Sequence, residues 1–158
     1  SGYGLSQRLS IDPKTADEYI ALYFARYPGV KAWLDATIEE ARKTGYVKTL
    51  LDRRRYVPDL RSRNRVISGA SERVAVNAPI QGTSADLMKL AMIRVSEKLR
   101  GTKVRMILKL HDELVLEAPE GRADDAARIV REEMENVWPL EVPLRVDVSR
   151  GANWADMA

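Results

Sequence analysis

The sequence predicts an α+β fold, with helices first and an antiparallel sheet after them. Three observations carry this. Apolar residues recur at helical spacing up to Gly45. Alternation over Val104–Leu110 marks a strand with two faces. The short polar link His111-Asp112-Glu113 then leaves room only for a hairpin, so the next apolar run, Leu114–Glu117, returns antiparallel. The order helices, strand, strand, helix, strand implies helices packed on one face of the sheet.

Each element has its own local signal. Asp12-Pro13 is a helix start, a capping carboxylate followed by proline at the first helical position. Ala16, Tyr19, Ile20, Tyr23 and Phe24 follow on one stripe, and Pro28-Gly29 breaks that helix. A second helix carries Val30, Trp33, Leu34, Thr37, Ile38 and Ala41 and stops near Gly45, giving a helical hairpin. Trp33 and Trp138 read as core. Tyr46–Leu51 and Tyr56-Val57 read as short strands around Asp52-Arg53-Arg54-Arg55. Asn64–Ala78 is helix-compatible until Pro79, and Thr83–Leu99 is a strong amphipathic helix ended by Gly101. In the strand Val104–Leu110, the residues Val104, Met106, Leu108 and Leu110 face one way, and Arg105, Ile107 and Lys109 the other. Arg122–Val137 is an amphipathic helix, and Leu144–Val148 a final alternating strand.

Composition narrows the chemistry. At 158 residues the chain can bury a real core, and no apolar run is long enough for a membrane span. The absence of cysteine excludes disulfides and thiolate metal sites, which fits a cytoplasmic protein with no membrane partner. Charge is uneven. Arg42–Arg73 holds ten Lys/Arg against three Asp/Glu, a local +7, so the remainder carries −4 of the overall +3. Such a block suits a surface that meets a polyanion, and equally a solvated arginine-rich loop.

The run Leu108–Glu117 places three ionisable residues inside what would otherwise be core strand. A carboxylate at a hairpin tip is fixed by the sheet behind it and open on its free side. That suits a hard oxygen ligand for Mg²⁺, which takes one or two protein carboxylates plus phosphate oxygens. A plain hydrophilic turn also fits, since Asp is common in turns. His111 is the only histidine, which excludes phosphohydrolases that hold metals with several histidines. No Gly-x-Ser-x-Gly elbow is present either.

Several stretches, in order, resemble one family. Lys109-Leu110-His111-Asp112-Glu113-Leu114-Val115-Leu116-Glu117 is similar to motif C of the bacterial family A, DNA polymerase I-like, DNA polymerases. Tyr23–Val30, Thr49–Asp59, Glu72–Asp86 and Gly151–Trp154 resemble the same family, so the resemblance covers essentially the whole chain. It implies the carboxyl-terminal part of such an enzyme, with residues 1–75 in a mostly helical partial fingers subdomain and 76–158 in a partial palm subdomain. Asp112 would be a ligand of the catalytic Mg²⁺ ions, Glu113 the second acid of the motif, and His111 a neighbour of the primer terminus. Arg73, Asn77 and Gln81 match polar residues that lie along the nascent duplex.

Spacing agrees with that assignment. Steps of four put Arg73 and Asn77 on one helix face, and Gln81 continues the row if the helix survives Pro79. Such side chains can donate to purine N3 and pyrimidine O2, minor-groove acceptors present on every correct pair. A solvated helix face is the plainer reading. Arg53, Arg54 and Arg55 suit phosphate or an acidic partner, or form a rim without a ligand. The family usually has glycine where this chain has Asp52, which puts the turn geometry there in question.

The resemblance further implies primer–template DNA, deoxynucleoside triphosphates and the amino-terminal remainder of the polymerase as partners. The other metal-binding aspartate, the triphosphate-gripping arginine and lysine, the thumb and the nuclease regions fall before the segment matched here. An isolated chain of this kind is expected to incorporate no nucleotide. Two rivals stand beside this reading: a non-catalytic duplex-binding module and a structural fragment that only packs against a partner.

Overall fold

The computed structural model describes residues 2–157. Its elements are α1 (Gly2–Leu9), α2 (Pro13–Arg26), α3 (Pro28–Thr44), β1 (Tyr46–Lys48), β2 (Arg54–Tyr56), α4 (Arg65–Lys98), β3 (Arg105–Leu110), β4 (Glu113–Glu117) and α5 (Ala123–Glu135). Helices and two antiparallel hairpins make this an α+β fold, as the order of signals predicts.

The chain divides into two compact units. The first runs to Lys48 and includes Asp52–Pro79; the second takes Thr49–Leu51 and everything from Ile80 onward. In the first unit, Asp12 caps α2 by accepting from the amides of Lys14 at 3.0 Å and Thr15 at 3.1 Å. The Thr15 hydroxyl also donates to it, and these bonds hold the Asp12 carboxyl below its ordinary range. Gly45 ends α3 at φ 82, a left-handed cap that glycine reaches without strain. The Arg61 guanidinium donates to the carbonyls of Arg42 at 2.6 Å and Lys43 at 2.9 Å, satisfying orphan acceptors of the last turn of α3. Ala41, Val47, Val57, Leu60 and Ala75 form the core beneath hairpin β1–β2.

In the second unit one face of hairpin β3–β4 is covered. Met106 and Leu116 pack with Val95, Leu99 and Val104 and with Ala126 and Val130 of α5. A second cluster joins Leu87, Ala91 and Val137, with Leu51, Trp138 and Leu144 against it. Among the described residues no helix is long and apolar enough to cross a membrane.

Five sequence expectations need correction or completion. Residues 2–9 form a helix, α1, although no clear helical pattern marks them in the sequence. Pro79 does not end a helix: α4 runs through it for 34 residues. A proline inside a helix removes one hydrogen bond and costs ~3 kcal/mol. Burial of Ala75 on one side, and of Leu87, Ala91 and Val95 on the other, offsets that cost.

Leu144–Val148 is not a strand. Its backbone is engaged by α5 side chains: the Val146 amide donates to Glu135 Oε1 at 3.0 Å, and Arg131 Nε donates to the Val146 carbonyl at 3.3 Å. The alternation in β3 also breaks. Met106 pairs with Leu116 and Leu108 with Val115, so Ile107 is an extra residue in the ladder. Successive residues of β4 face opposite ways, hence Met106 and Leu108 do too. Finally, Trp33 is 41% exposed, and Tyr19 and Tyr23 are about half exposed, so these aromatics of α2 and α3 are not core.

Candidate active site

The last pair of the β3–β4 ladder is Leu110 with Glu113, which leaves His111 and Asp112 as a two-residue turn. Tight turns of this length need positive φ at the first central position. His111 supplies it at φ 51, although it is not glycine. A side chain there costs of order 1 kcal/mol, and such outliers concentrate at functional sites.

His111, Asp112 and Glu113 are all exposed, so the three motif residues stand together at one tip. Behind them Leu116 ties the hairpin to the packed face and Leu114 is half-buried, which backs the tip without covering it. The extra residue Ile107 turns Leu108, Leu110, Glu113 and Val115 to the face away from Met106 and Leu116. Among the described residues no hydrogen bond or ion pair engages the side chains of His111, Asp112 or Glu113. Many other acids in the chain are spoken for: Asp52 by Lys48, Glu39 by Lys43, Glu72 by Arg42, Glu117 by Arg105.

Among the described residues no three His, Cys, Asp or Glu side chains gather into a metal cage. Two adjacent, exposed carboxylates without a third still fit Mg²⁺, which completes its shell with water and phosphate oxygens. They would suit a structural zinc site poorly, since that needs four protein donors.

Arg73, Asn77 and Gln81 all lie on α4 and all are exposed. The spacing of four puts Arg73 and Asn77 on one stripe of the first unit, and Gln81 follows Pro79 on the same helix, in the second unit. The three arginines do not form one patch. Arg53 lies in the link between β1 and β2, while Arg54 and Arg55 are neighbours in β2 and point to opposite faces. Arg55 pairs with buried Val47, whereas Arg54 lies over the Tyr46 ring at 4.7 Å. Asp52 adopts φ 61, so it takes the conformation that glycine would favour, and Lys48 Nζ holds its carboxylate at 2.9 Å.

Sequence reading missed two positioning contacts near these residues. The Leu50 amide donates to Thr83 Oγ1 at 2.8 Å. Tyr46 and Tyr56 meet at 5.8 Å on the same face as Arg54. The period-two pattern Tyr46-x-Lys48 and Arg54-x-Tyr56 was the available signal for the second; nothing local marks the first.

Comparison with known proteins gives a consistent result. The profile of DNA polymerase family A matches residues 1–156. A thermostable DNA polymerase I from Thermus filiformis is 51% identical over 156 residues, covering 99% of this chain and 19% of that protein. DNA polymerase I of Geobacillus stearothermophilus is 49% identical over 158 residues, with 99% and 18% covered. The chain thus spans about a fifth of the length of these curated relatives. Among solved structures, the POL domain of Pol1 from M. smegmatis, in complex with DNA primer-template and dNTP, superposes with a TM-score of 0.96. It is 45% identical, and the match covers 99% of this chain and 28% of that one. This chain belongs to DNA polymerase family A.

Proposed function

We propose that the chain contributes one carboxylate hairpin and one duplex-tracking helix face to template-directed DNA synthesis, in replication and repair. The observation that carries this is the exposed, unengaged tip His111-Asp112-Glu113, rigidly backed by packed sheet, in a chain of this family. On this reading residues 1–75 are partial fingers and 76–158 partial palm. The partners are primer–template DNA, deoxynucleoside triphosphates and the amino-terminal remainder of the polymerase, in the cytoplasm.

Asp112, with Glu113 beside it, would hold Mg²⁺. Bound there with the family's other aspartate, magnesium would supply charge stabilisation at the attacking and leaving oxygens of a two-metal displacement. His111 lies against the primer end. Arg73, Asn77 and Gln81 donate to minor-groove acceptors common to all correct pairs, which senses pair shape without reading sequence. Arg53, Arg54 and Arg55 contact phosphate.

One carboxylate pair is too few to hold two metal ions, so the 158-residue chain by itself incorporates nothing. A primer-extension assay tests both halves of this. The chain alone gives no product, and adding the upstream portion of a family A polymerase restores extension that Asp112→Ala removes. Extension by the chain alone would overturn its inactivity; restored extension indifferent to Asp112→Ala would overturn the site.

The +7 window favours a second reading, a duplex-binding module without chemistry. Salt titration of duplex binding, followed by reconstitution, separates the two. Both predict a steep salt dependence, but only the first predicts restored synthesis.

A further inference from the structure

We propose that the outward face of hairpin β1–β2 is a stacking surface for single-stranded nucleic acid, with Tyr56 as the ring that receives a base. The ladder pairs Tyr46 with Tyr56, Val47 with Arg55 and Lys48 with Arg54. Pairs alternate between faces, so Tyr46, Tyr56, Lys48 and Arg54 share the face opposite Val47. Val47 is buried with Val57 and Leu60, which anchors the hairpin and fixes that outer face.

On this face the rings of Tyr46 and Tyr56 meet edge to face, 69° apart in plane. The Arg54 guanidinium sits 4.7 Å from the centre of the Tyr46 ring. Tyr46 is therefore a pedestal held between an aromatic edge and a cation, while Tyr56 remains 65% exposed. A fixed, open tyrosine next to cations matches a chain that alternates planar bases with phosphates. Among the described residues Arg54 is the cation of this face without an acidic partner, since Lys48 is paired with Asp52, and the hairpin lies within a stretch of sequence, 42–73, of net charge +7. A duplex does not fit, because its base faces are already stacked on one another. An acidic polypeptide would use the cations and leave the open ring without a role.

This surface is independent of the carboxylate tip, so its test omits metal and synthesis. The anisotropy of a fluorescein-labelled oligothymidylate of about twelve nucleotides is followed against the full chain in EDTA, at two salt concentrations. Tyr56→Ala should weaken binding about tenfold, while Tyr56→Phe stays within about twofold of the parent. A blunt duplex and poly-glutamate should bind Tyr56→Ala and the parent alike, and the salt slope should not change, since no phosphate contact is lost. Should Tyr56→Ala fail to fold, Tyr56→Trp replaces it, with expected affinity equal to the parent's or higher. The proposal is overturned if single strand and duplex weaken together, if Tyr56→Phe behaves like Tyr56→Ala, if Tyr56→Trp weakens binding, or if poly-glutamate shares the loss.

Discussion

Hairpin β1–β2 carries Asp52 in its link at φ 61, and hairpin β3–β4 carries His111 at φ 51 beside Asp112. Both tips thus combine a carboxylate with a left-handed residue, and both strands behind them are pinned by buried apolar side chains. The difference is in the carboxylates. Asp52 is neutralised inside its own hairpin by Lys48, and that hydrogen bond holds its carboxyl below the ordinary range. Asp112 and Glu113 have no such neighbour among the described residues. An acid with a built-in cation is a structural device; two adjacent acids without one present net negative charge to whatever arrives. The lesson is that the partner of a carboxylate, more than its exposure, separates a turn from a candidate metal site.

The sharpest way to break this contrast is to remove each acid in turn. In the reconstituted polymerase, Asp112→Ala should lower incorporation roughly a thousandfold, the scale of charge stabilisation that metal ligation supplies. Asp52→Ala should leave the rate within about threefold. Thermal unfolding of the chain should not register Asp112→Ala, because among the described residues the side chain has no hydrogen bond or ion pair to lose. A rate equally sensitive to both substitutions would erase the distinction.

A second test asks whether the backing of a tip is as structural as its packing suggests. Leu60→Ala empties a fully buried site under β1–β2 and should cost about 3 kcal/mol in urea unfolding. Ile107→Ala, on the exposed face of β3, should cost less than about 1 kcal/mol.

Smaller effects come from the left-handed residues. His111→Gly relieves about 1 kcal/mol of backbone strain and adds roughly half of that in unfolded-state entropy, so stability should rise by about 0.5 kcal/mol. Asp52→Gly should gain less, because the Lys48 pair is lost with the side chain. The pH dependence has a fixed sign. Asp52's carboxyl lies below its ordinary 3.8, so the pair stabilises the fold above that value. The contribution fades as pH falls through the lowered value. Asp52→Asn should flatten that acid-side slope without altering stability near neutrality by more than the exposed pair contributes; an unchanged slope would show that Lys48 does not hold Asp52 in solution.

Much of this architecture was legible in local chemistry. Asp12-Pro13 announced α2 because a cap and a fixed φ act over three residues, and Gly45 announced the end of α3 for the same reason. The β3–β4 hairpin and its polar tip followed from alternation and a short link. The spacing of Arg73, Asn77 and Gln81 was visible, though the passage of α4 through Pro79 was not. Period and capping are written within a few residues of where they act, so a sequence read by itself determined the α+β class, the helical hairpin and the identity of the exposed acids.

Only tertiary structure decided the rest, because the competing energies lie far apart in the chain. Whether α4 survives Pro79 depends on burial at Ala75 and at Leu87–Val95, whose packing partners come from distant segments. Leu144–Val148 has the pattern of a strand, but Glu135 and Arg131 take the amide and carbonyl of Val146 at its centre. The extra residue at Ile107 shows only against its partner strand, and it sets which way Leu108 and Leu110 face. Lys48 pairs with Asp52 because the hairpin folds back, whereas among the described residues no hydrogen bond or ion pair reaches the Asp112 side chain. A sequence names the charges; the folded chain decides which of them are already answered.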